Sequence, residues 1–256
     1  MFQDQFIAYR TIVRREVTRF TRIWSQTLLP PVITQSLYFV IFGKFIGSQI
    51  SAIQGVSYMA FIVPGLVMMA VINNSFANVV SSFFSSKFQR SIEELLVSPT
   101  TDWVIIAGYV TGGLLRGVGV GVLVFAVSFF FTMPVIQHPF IIVLFVVLTS
   151  VVFSLAGLFN AMFAKNFDDI SIFPTFVLTP LTYLGGIFYS IHSLPPAWQV
   201  VSQFNPILYM VNGFRFGFYG FSDVHLGMSI FILVVFAIIL TGVNLYILRK
   251  GIGLKN

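Results

Sequence analysis

The chain lacks cysteine and contains very few charged residues. Asp, Glu, Lys and Arg together make up only 9% of its 256 residues, whereas hydrophobic residues make up 57%. A water-soluble protein needs many polar side chains to cover its surface, so this composition excludes an ordinary soluble domain. The absence of cysteine excludes disulfide bonds, thiol catalysis and metal sites built from thiolates.

Motifs for nucleotide binding and metal chemistry are missing as well. Neither G-x-x-x-x-G-K-[ST] nor G-x-G-x-x-G occurs in the sequence, so no phosphate-binding loop is recognisable. His138, His192 and His225 are scattered through predicted outer loops, where Asp223 and His225 could in principle share a metal. Ordinary surface histidines explain this distribution better. We therefore predict that the chain is not an enzyme, with no catalytic residue and no metal or cofactor of its own.

Long apolar runs are what the sequence has in abundance. They fall at about 24–46, 58–84, 103–131, 140–163, 170–190 and 227–248. A helix needs roughly 20 apolar residues to cross a bilayer, and helices satisfy their own backbone hydrogen bonds in hydrocarbon. The pattern predicts an all-α integral membrane protein in which six transmembrane helices form one domain over residues 1–256.

Basic residues are concentrated in the segments that six spans would place on one side of the membrane. Eleven of the fourteen Lys and Arg residues lie there: Arg10, Arg14, Arg15, Arg19, Arg22, Lys87, Arg90, Lys165, Arg249, Lys250 and Lys255. Because loops rich in Lys and Arg stay in the cytoplasm, both termini are predicted to be cytoplasmic, and Gln137 and Ser193 to be outside. The positive charge therefore indicates membrane orientation and not a nucleic-acid partner.

Three segments outside the predicted spans have patterns of their own. Residues 4–22 carry an apolar face opposite an arginine-rich face, which is typical of an amphipathic helix lying among lipids at the membrane surface. Residues 85–100 predict a cytoplasmic helix whose apolar face is formed by Phe88, Ile92, Leu95 and Leu96. Residues 187–226 are rich in aromatic residues and helix breakers, which predicts re-entrant or interfacial helices on the outer face.

Arg116 lies in the middle of the third apolar run. Exposing its charge to lipid would cost about 3 kcal/mol or more, so its side chain is expected to face protein or water. It is either a structural residue bonded to neighbouring helices or a residue of a pathway or subunit interface.

Polar residues also occur in the second and fifth runs. The second contains Asn73, Asn74 and Asn78, and the fifth contains Thr175, Thr179 and Tyr183. Amides and hydroxyls in hydrocarbon need partners, so these helices are expected to face each other or an aqueous lumen. Hydrogen bonding between helices and contact with a transported substrate are both open as their role.

Two further patterns each allow two interpretations. The third run contains glycines at about four-residue spacing, namely Gly108, Gly112, Gly113, Gly117 and Gly121. Such spacing lets helices approach closely, and packing within the chain is favoured over pairing across a homodimer. Asp168 and Asp169 directly precede the fifth run, where they either cap the helix N-terminus or contact a cytoplasmic partner.

Several strings resemble those of a known transporter family. They are NFDDIS at 166–171, FxLTPLTYLGGxFYSxxxLP at 176–195, FNP at 204–206, GFR at 213–215 and the charged segment 88–99. Together with the basic N-terminal helix, these motifs resemble the ABC type-2 export permeases over nearly the whole chain.

The resemblance implies a type V exporter fold and a homodimer in the bacterial inner membrane, bound to two cytoplasmic ATPase subunits. ATP and Mg would act in those ATPase subunits. The candidate coupling residues are Phe88, Arg90, Ile92, Glu93, Glu94, Leu95, Asp168 and Asp169. The candidate pathway residues are Asn73, Asn74, Phe76, Thr175, Thr179 and Tyr183. Substrates in this family are hydrophobic, lipid-linked or glycan molecules.

Two other functional classes compete with this interpretation. A secondary transporter or channel that does not use ATP would be expected to carry acidic residues inside its spans, and none is found at mid-depth. An intramembrane enzyme would need clustered His, Asp or Glu, which the scattered histidines do not supply.

Overall fold

The computed structural model describes residues 2–50 and 52–253, without the side chain of Phe2. In chain order the helices are α1 (Phe2–Arg22), α2 (Trp24–Gln49), α3 (Tyr58–Phe88), α4 (Ser91–Val97), α5 (Asp102–Ser128), α6 (Pro139–Phe163), α7 (169–183), α8 (Pro196–Gln203), α9 (Pro206–Tyr219) and α10 (Leu226–Lys250). Within these described ranges the only β-type pairing is an isolated bridge between Ile53 and Val56. The all-α prediction is confirmed.

Five of these helices, α2, α3, α5, α6 and α10, are long and apolar enough to cross a membrane. Their ends lie within a few residues of the predicted apolar runs. The agreement arises because long runs without charge are the strongest sequence signal of a spanning helix. α2 changes to π-helical geometry at Phe39–Ile46 and to a 3₁₀ turn at Gly47–Gln49.

The predicted fifth span is shorter and more irregular than expected. Helix α7 covers 169–183, about 22 Å of helix at 1.5 Å per residue, against a hydrocarbon core of roughly 30 Å. A π-helical turn interrupts it at Pro174–Leu178, and Pro180 follows in the next turn. Proline lacks the backbone N–H of a regular turn, which accounts for the interruption. The described residues thus contain five helices that meet the length criterion, and not six.

Helix α3 is the most completely buried of the long helices and packs against both α5 and α6. Small residues permit this close approach. A Cβ added at Gly117 of α5 would lie 1.9 Å from Ser75 Oγ, and one added at Gly157 of α6 would lie 2.6 Å from the Phe76 carbonyl oxygen. The glycines of α5 therefore serve packing within the chain, as favoured from the sequence.

Segments far apart in sequence meet at one end of the bundle. Gln5 of α1 donates to the Pro99 carbonyl and accepts from Thr101 N. Arg249, near the end of α10, forms an ion pair with Asp102 at 3.4 Å. This arrangement brings the first and last helices to the same end as α4. Lys255, which belongs to the predicted cytoplasmic cations, lies outside the described residues.

The predicted outer segment lies at the other end of the bundle. Helix α9 inserts there between α3, α6 and α10. Its Arg215 is fully buried, and its Nη2 donates to the Gly186 carbonyl at 2.7 Å. The guanidinium carbon also lies 3.8 Å from the centre of the Phe61 ring, a cation–π contact. Arg215 therefore fixes α9 to both the turn after α7 and the start of α3.

Candidate coupling and transport sites

The first candidate surface lies where the chain turns between α3 and α5. Helix α3 ends at Phe88, and Arg90 adopts a left-handed φ of 59° before α4 begins at Ser91. This conformation costs a residue with a Cβ about 1–2 kcal/mol. Residues 85–100 are therefore two helices separated by Gln89 and Arg90, which corrects the predicted single helix.

The break separates the members of the predicted apolar face. Phe88 is 62% exposed, whereas Ile92, in the first turn of α4, is 1% exposed and belongs to the core. Leu95 and Leu96 are half-buried against the same core. Ile92 therefore anchors α4 to the bundle and is not available to a partner, which corrects its predicted place among the coupling residues.

What remains accessible around α4 is mixed in character. Phe88 packs against Phe167 of the α6–α7 loop, with ring centroids 5.1 Å apart, and both rings are more than half exposed. We define the α4 surface by its exposed residues, which are Phe88, Arg90, Glu93, Glu94, Val97, Phe167 and Asp168. It combines aromatic groups with both signs of charge, as protein-binding surfaces commonly do.

Asp168 and Asp169 have different roles in the structure. Asp169 Oδ2 accepts hydrogen bonds from the backbone N–H groups of Lys165 and Asn166, while Asp169 N donates to Asn166 Oδ1 at 2.8 Å. This reciprocal arrangement closes the loop before α7 and resembles a capping box. Asp168 is exposed and makes no side-chain capping bond. Asp168 is thus the member of the pair that a partner can reach.

Lys87 connects the end of α3 to the end of α6. Its side chain is buried, and Nζ donates to the carbonyl oxygens of Met162 at 2.8 Å and Ala164 at 2.6 Å. The last carbonyls of a helix have no partner within the helix, so the ammonium group satisfies them and meets the negative end of the helix dipole.

Arg116 faces protein, as expected. Its Nη2 donates to Asn74 Oδ1 at 3.2 Å, and Asn74 Nδ2 donates to the Ala70 carbonyl within α3. Arg116 Nε is buried and has no hydrogen-bond partner in the described residues. The guanidinium therefore retains an unused donor, which is compatible with either role considered for it from the sequence.

The candidate pathway residues divide into two groups. Asn74 and Phe76 are buried within the bundle, where Phe76 stacks on Phe173 of α7 at 5.3 Å. Asn73 is half-buried and donates to Met69 O of its own helix.

The second group lies on α7 and is accessible. Thr175, Thr179 and Tyr183 are exposed at four-residue spacing, so they share one face of the helix. Tyr183 Oη lies 3.3 Å from Tyr38 Oη of α2, and both rings contact Phe188. The structure thus brings polar groups of α2 and α7 together at an aromatic cluster and leaves Asn74 elsewhere.

The structure also contains a buried acid that the sequence analysis did not single out. Glu16 of α1 is completely buried, and its carboxylate accepts hydrogen bonds from Ser82 Oγ, Asn78 Nδ2 and Arg19 Nη2. Arg19 Nη2 also donates to Asn78 Oδ1 at 2.7 Å. Arg15 lies at 3.8 Å from Glu16 and donates to the hydroxyl of Tyr109. These groups form a polar joint between α1, α3 and α5.

A signal for this joint is present in the sequence. Ile12, Glu16 and Phe20 follow one another at four-residue spacing, and all three are buried. A Cβ added at Gly108 or Gly112 of α5 would collide with Ile12 or Glu16, respectively. Helix α1 therefore packs lengthwise on the bundle through these residues. The position of Glu16 on an apolar helix face is the feature of the sequence that indicates a buried acid.

Comparisons with known proteins agree with this picture. A family model described as ABC-2 type transporter matches residues 7–219. The inner membrane transport permease YadH of Escherichia coli K12 is 57% identical over 257 residues, covering 100% of both chains. Nodulation protein J of Rhizobium meliloti is 25% identical and covers 93% of this chain and 91% of its own, and that of Rhizobium leguminosarum biovar viciae is 22% identical with 93% and 92% covered. The sequence motifs resemble the YadH-like branch of the export permeases, and these comparisons confirm that resemblance.

Proposed function

This chain is a permease of the ABC-2 type transporter family, and we propose that two copies of it form the translocation pathway of an exporter. Two copies of a separate ATPase subunit, which binds ATP and Mg, would drive transport. We place the protein in the bacterial inner membrane, in line with the name of its Escherichia coli relative. The substrate that we propose is hydrophobic, lipid-linked or a glycan.

The observation that carries the proposal is the exposed α4 surface on a firmly held base. Ile92 and Lys87 fix α4 and the end of α3 to the bundle, while Phe88 and Val97 expose 62% and 85% of their side chains. Apolar groups exposed next to Glu93 and Glu94 at the basic end of a bundle are typical of a surface that another protein covers. The residues that we propose to contact the ATPase are then Phe88, Arg90, Glu93, Glu94, Leu95 and Asp168, while Ile92 and Asp169 hold α4 and the loop before α7 in position.

Reversing the charge of Glu93 and Glu94 together tests this assignment. We expect Glu93→Lys/Glu94→Lys to weaken binding of the ATPase by about tenfold or more, equivalent to about 1.4 kcal/mol, because like charges would oppose a basic rim on the partner. Folding should be unaffected, since both side chains are exposed. The ATPase is identified by co-purification with the tagged chain, and its binding and coupled hydrolysis are then measured in reconstituted membranes.

The matched control is Met133→Lys/Val135→Lys, which adds two lysines to exposed positions between α5 and α6. It should bind the ATPase like the natural chain. If the Glu93→Lys/Glu94→Lys variant binds the ATPase fully and keeps full coupled transport, α4 only connects α3 to α5. Recovery of a functional transporter without any ATPase would favour the ATP-independent alternative.

The orientation can be tested by labelling, because the chain has no cysteine of its own. Gln137→Cys and Ser193→Cys occupy exposed positions, and we expect a membrane-impermeant thiol reagent to label them in intact cells. Lys165→Cys should react only after permeabilisation, since the segments rich in Lys and Arg are cytoplasmic. The opposite pattern, with Gln137→Cys protected in intact cells, would invert the topology.

For the pathway, we propose that the exposed face of α7 and the aromatic cluster with Tyr38 line the space between two copies of the chain. Thr175, Thr179 and Tyr183 would offer hydroxyls to the substrate there. Asn73 and Asn74 would act from α3, and Phe76 would hold α7 through Phe173. The exposed Phe176 and Phe204, at 74% and 84%, would supply apolar contact between copies or with lipid.

A further inference from the structure

A basic cleft on α1 has no role in the coupling proposed above. It is open and has a volume of about 750 Å³, and the buried residues of α1, Ile12, Glu16 and Phe20, do not line it. Its lining consists of Arg14, Arg15, Arg19, Arg22, Thr11, Thr18 and Ile23. Four guanidinium groups thus converge within about two turns of one helix.

The positive charge of the cleft is largely uncompensated. Glu16 contacts Arg19 at 3.2 Å and Arg15 at 3.8 Å from the buried side of the helix. Within residues 2–50 and 52–253, no acidic group forms an ion pair with Arg14 or Arg22. Arg15 and Arg19 are held in place by Tyr109 and Asn78, so part of the cleft is preformed.

An apolar groove lies on the segment of the chain that follows the cleft. The groove has a volume of about 370 Å³ and is lined by Trp24, Leu28, Leu29, Val32, Leu123, Ala126, Val127 and Phe130. Ile23, at the end of the cleft, and Trp24, at the start of the groove, are consecutive residues. The surface therefore offers a cationic site next to a hydrocarbon-binding site, between α1, α2 and α5.

We propose that the cleft and the groove together bind an anionic phospholipid of the membrane. The guanidinium groups bind its phosphate, because arginine forms paired charge-assisted hydrogen bonds with phosphate oxygens. The acyl chain lies in the groove between α2 and α5, where it covers apolar side chains. The cleft has a net positive charge, because four arginines face a single carboxylate, that of Glu16. A lipid with a net negative charge complements it, whereas a zwitterionic lipid would bring its own cation into the cleft.

The test measures the unfolding midpoint of the purified full-length chain in an uncharged detergent. Dioleoyl phosphatidylglycerol should raise the midpoint by several degrees, and dioleoyl phosphatidylcholine should raise it by less than half as much. Arg14→Gln/Arg22→Gln removes the two cleft cations that have no ion pair within the described residues, and it should lose at least half of the phosphatidylglycerol effect. Arg10→Gln/Lys250→Gln removes the same charge from exposed positions outside the cleft and should keep that effect.

A second variant separates lipid binding from binding of a free anion. Ala126→Phe places a ring in the groove without changing charge, and it should reduce the effect of phosphatidylglycerol. Inorganic phosphate alone should leave the midpoint of the natural chain nearly unchanged. The proposal is overturned if phosphate alone reproduces the whole shift, if phosphatidylcholine matches phosphatidylglycerol, or if both the arginine and the groove variants respond like the natural chain. None of these outcomes depends on whether an ATPase binds α4.

Discussion

Replacing Glu16 with alanine should lower the free energy of unfolding of the purified chain by about 2–5 kcal/mol, because two buried donors lose their acceptor. Glu16 is the acid of the polar joint, and its removal leaves Arg19 and Asn78 without the carboxylate that both contact. Ser82 and Asn78 are buried and each loses the acceptor of a hydrogen bond, and a buried donor left without a partner costs about 1–3 kcal/mol. Denaturant or thermal unfolding in detergent, followed by size-exclusion chromatography, measures the loss.

Two matched variants show whether the loss of stability comes from the buried carboxylate. Glu16→Gln keeps a side-chain oxygen that can accept from Ser82 but loses the charge that faces Arg19, so its stability should lie between those of the natural chain and the alanine variant. Glu93→Ala removes an exposed acid from α4 and should change the free energy of unfolding by no more than about 0.5 kcal/mol. If Glu16→Ala and Glu93→Ala have the same free energy of unfolding, the joint does not hold α1 to the bundle.

Replacing Gly117 with alanine should lower the free energy of unfolding by about 1–3 kcal/mol through overpacking. The added Cβ would overlap Ser75 Oγ and lie 3.2 Å from Ser75 Cβ, where α5 packs on α3. The same change at Gly119 meets nothing within 4 Å. Because alanine favours helix more than glycine by about 1 kcal/mol, Gly119→Ala should be neutral or stabilising.

A second substitution at the contact should rescue the first. Ser75 Oγ is buried and has no hydrogen-bond partner among residues 2–50 and 52–253, so Ser75→Ala removes the colliding atom at little cost. Gly117→Ala/Ser75→Ala should therefore recover most of the lost stability in the same unfolding measurement. Equal behaviour of Gly117→Ala and Gly119→Ala would mean that α3 and α5 do not pack as closely as described.

The spanning helices could be predicted from the sequence because their signal is local. Runs such as 58–84 and 140–163 contain enough apolar residues to cross a bilayer, and no tertiary contact is needed to recognise them. The break in α7 was not predicted, although Pro174, Pro180 and the Gly185–Gly186 pair all lie within the run. Each disturbs a helix, but their combined effect on its length depends on how the chain packs beyond Tyr183.

The candidate sites depended more on tertiary structure. Helical periodicity placed Phe88 and Ile92 on one face, and it failed because Arg90 is left-handed, a conformation that residues with a Cβ seldom adopt. Glu16 was overlooked because a helix that lies on a membrane surface would leave it in water. Only the docking of α1 against Gly112 reveals that the acid is buried.

The two hydrogen bonds that Lys87 donates to the end of α6 stiffen this end of the bundle. Separating α3 from α6 would break two buried bonds to an ammonium group, so a force applied at α4 reaches two long helices at once. Those helices then respond as one rigid pair. Bending therefore requires an element whose helical hydrogen bonding is irregular. Helix α7, which has a π-helical turn and two prolines and contacts α3 through Phe173 and Phe76, is such an element. Bending in a working cycle would accordingly be concentrated near Pro174.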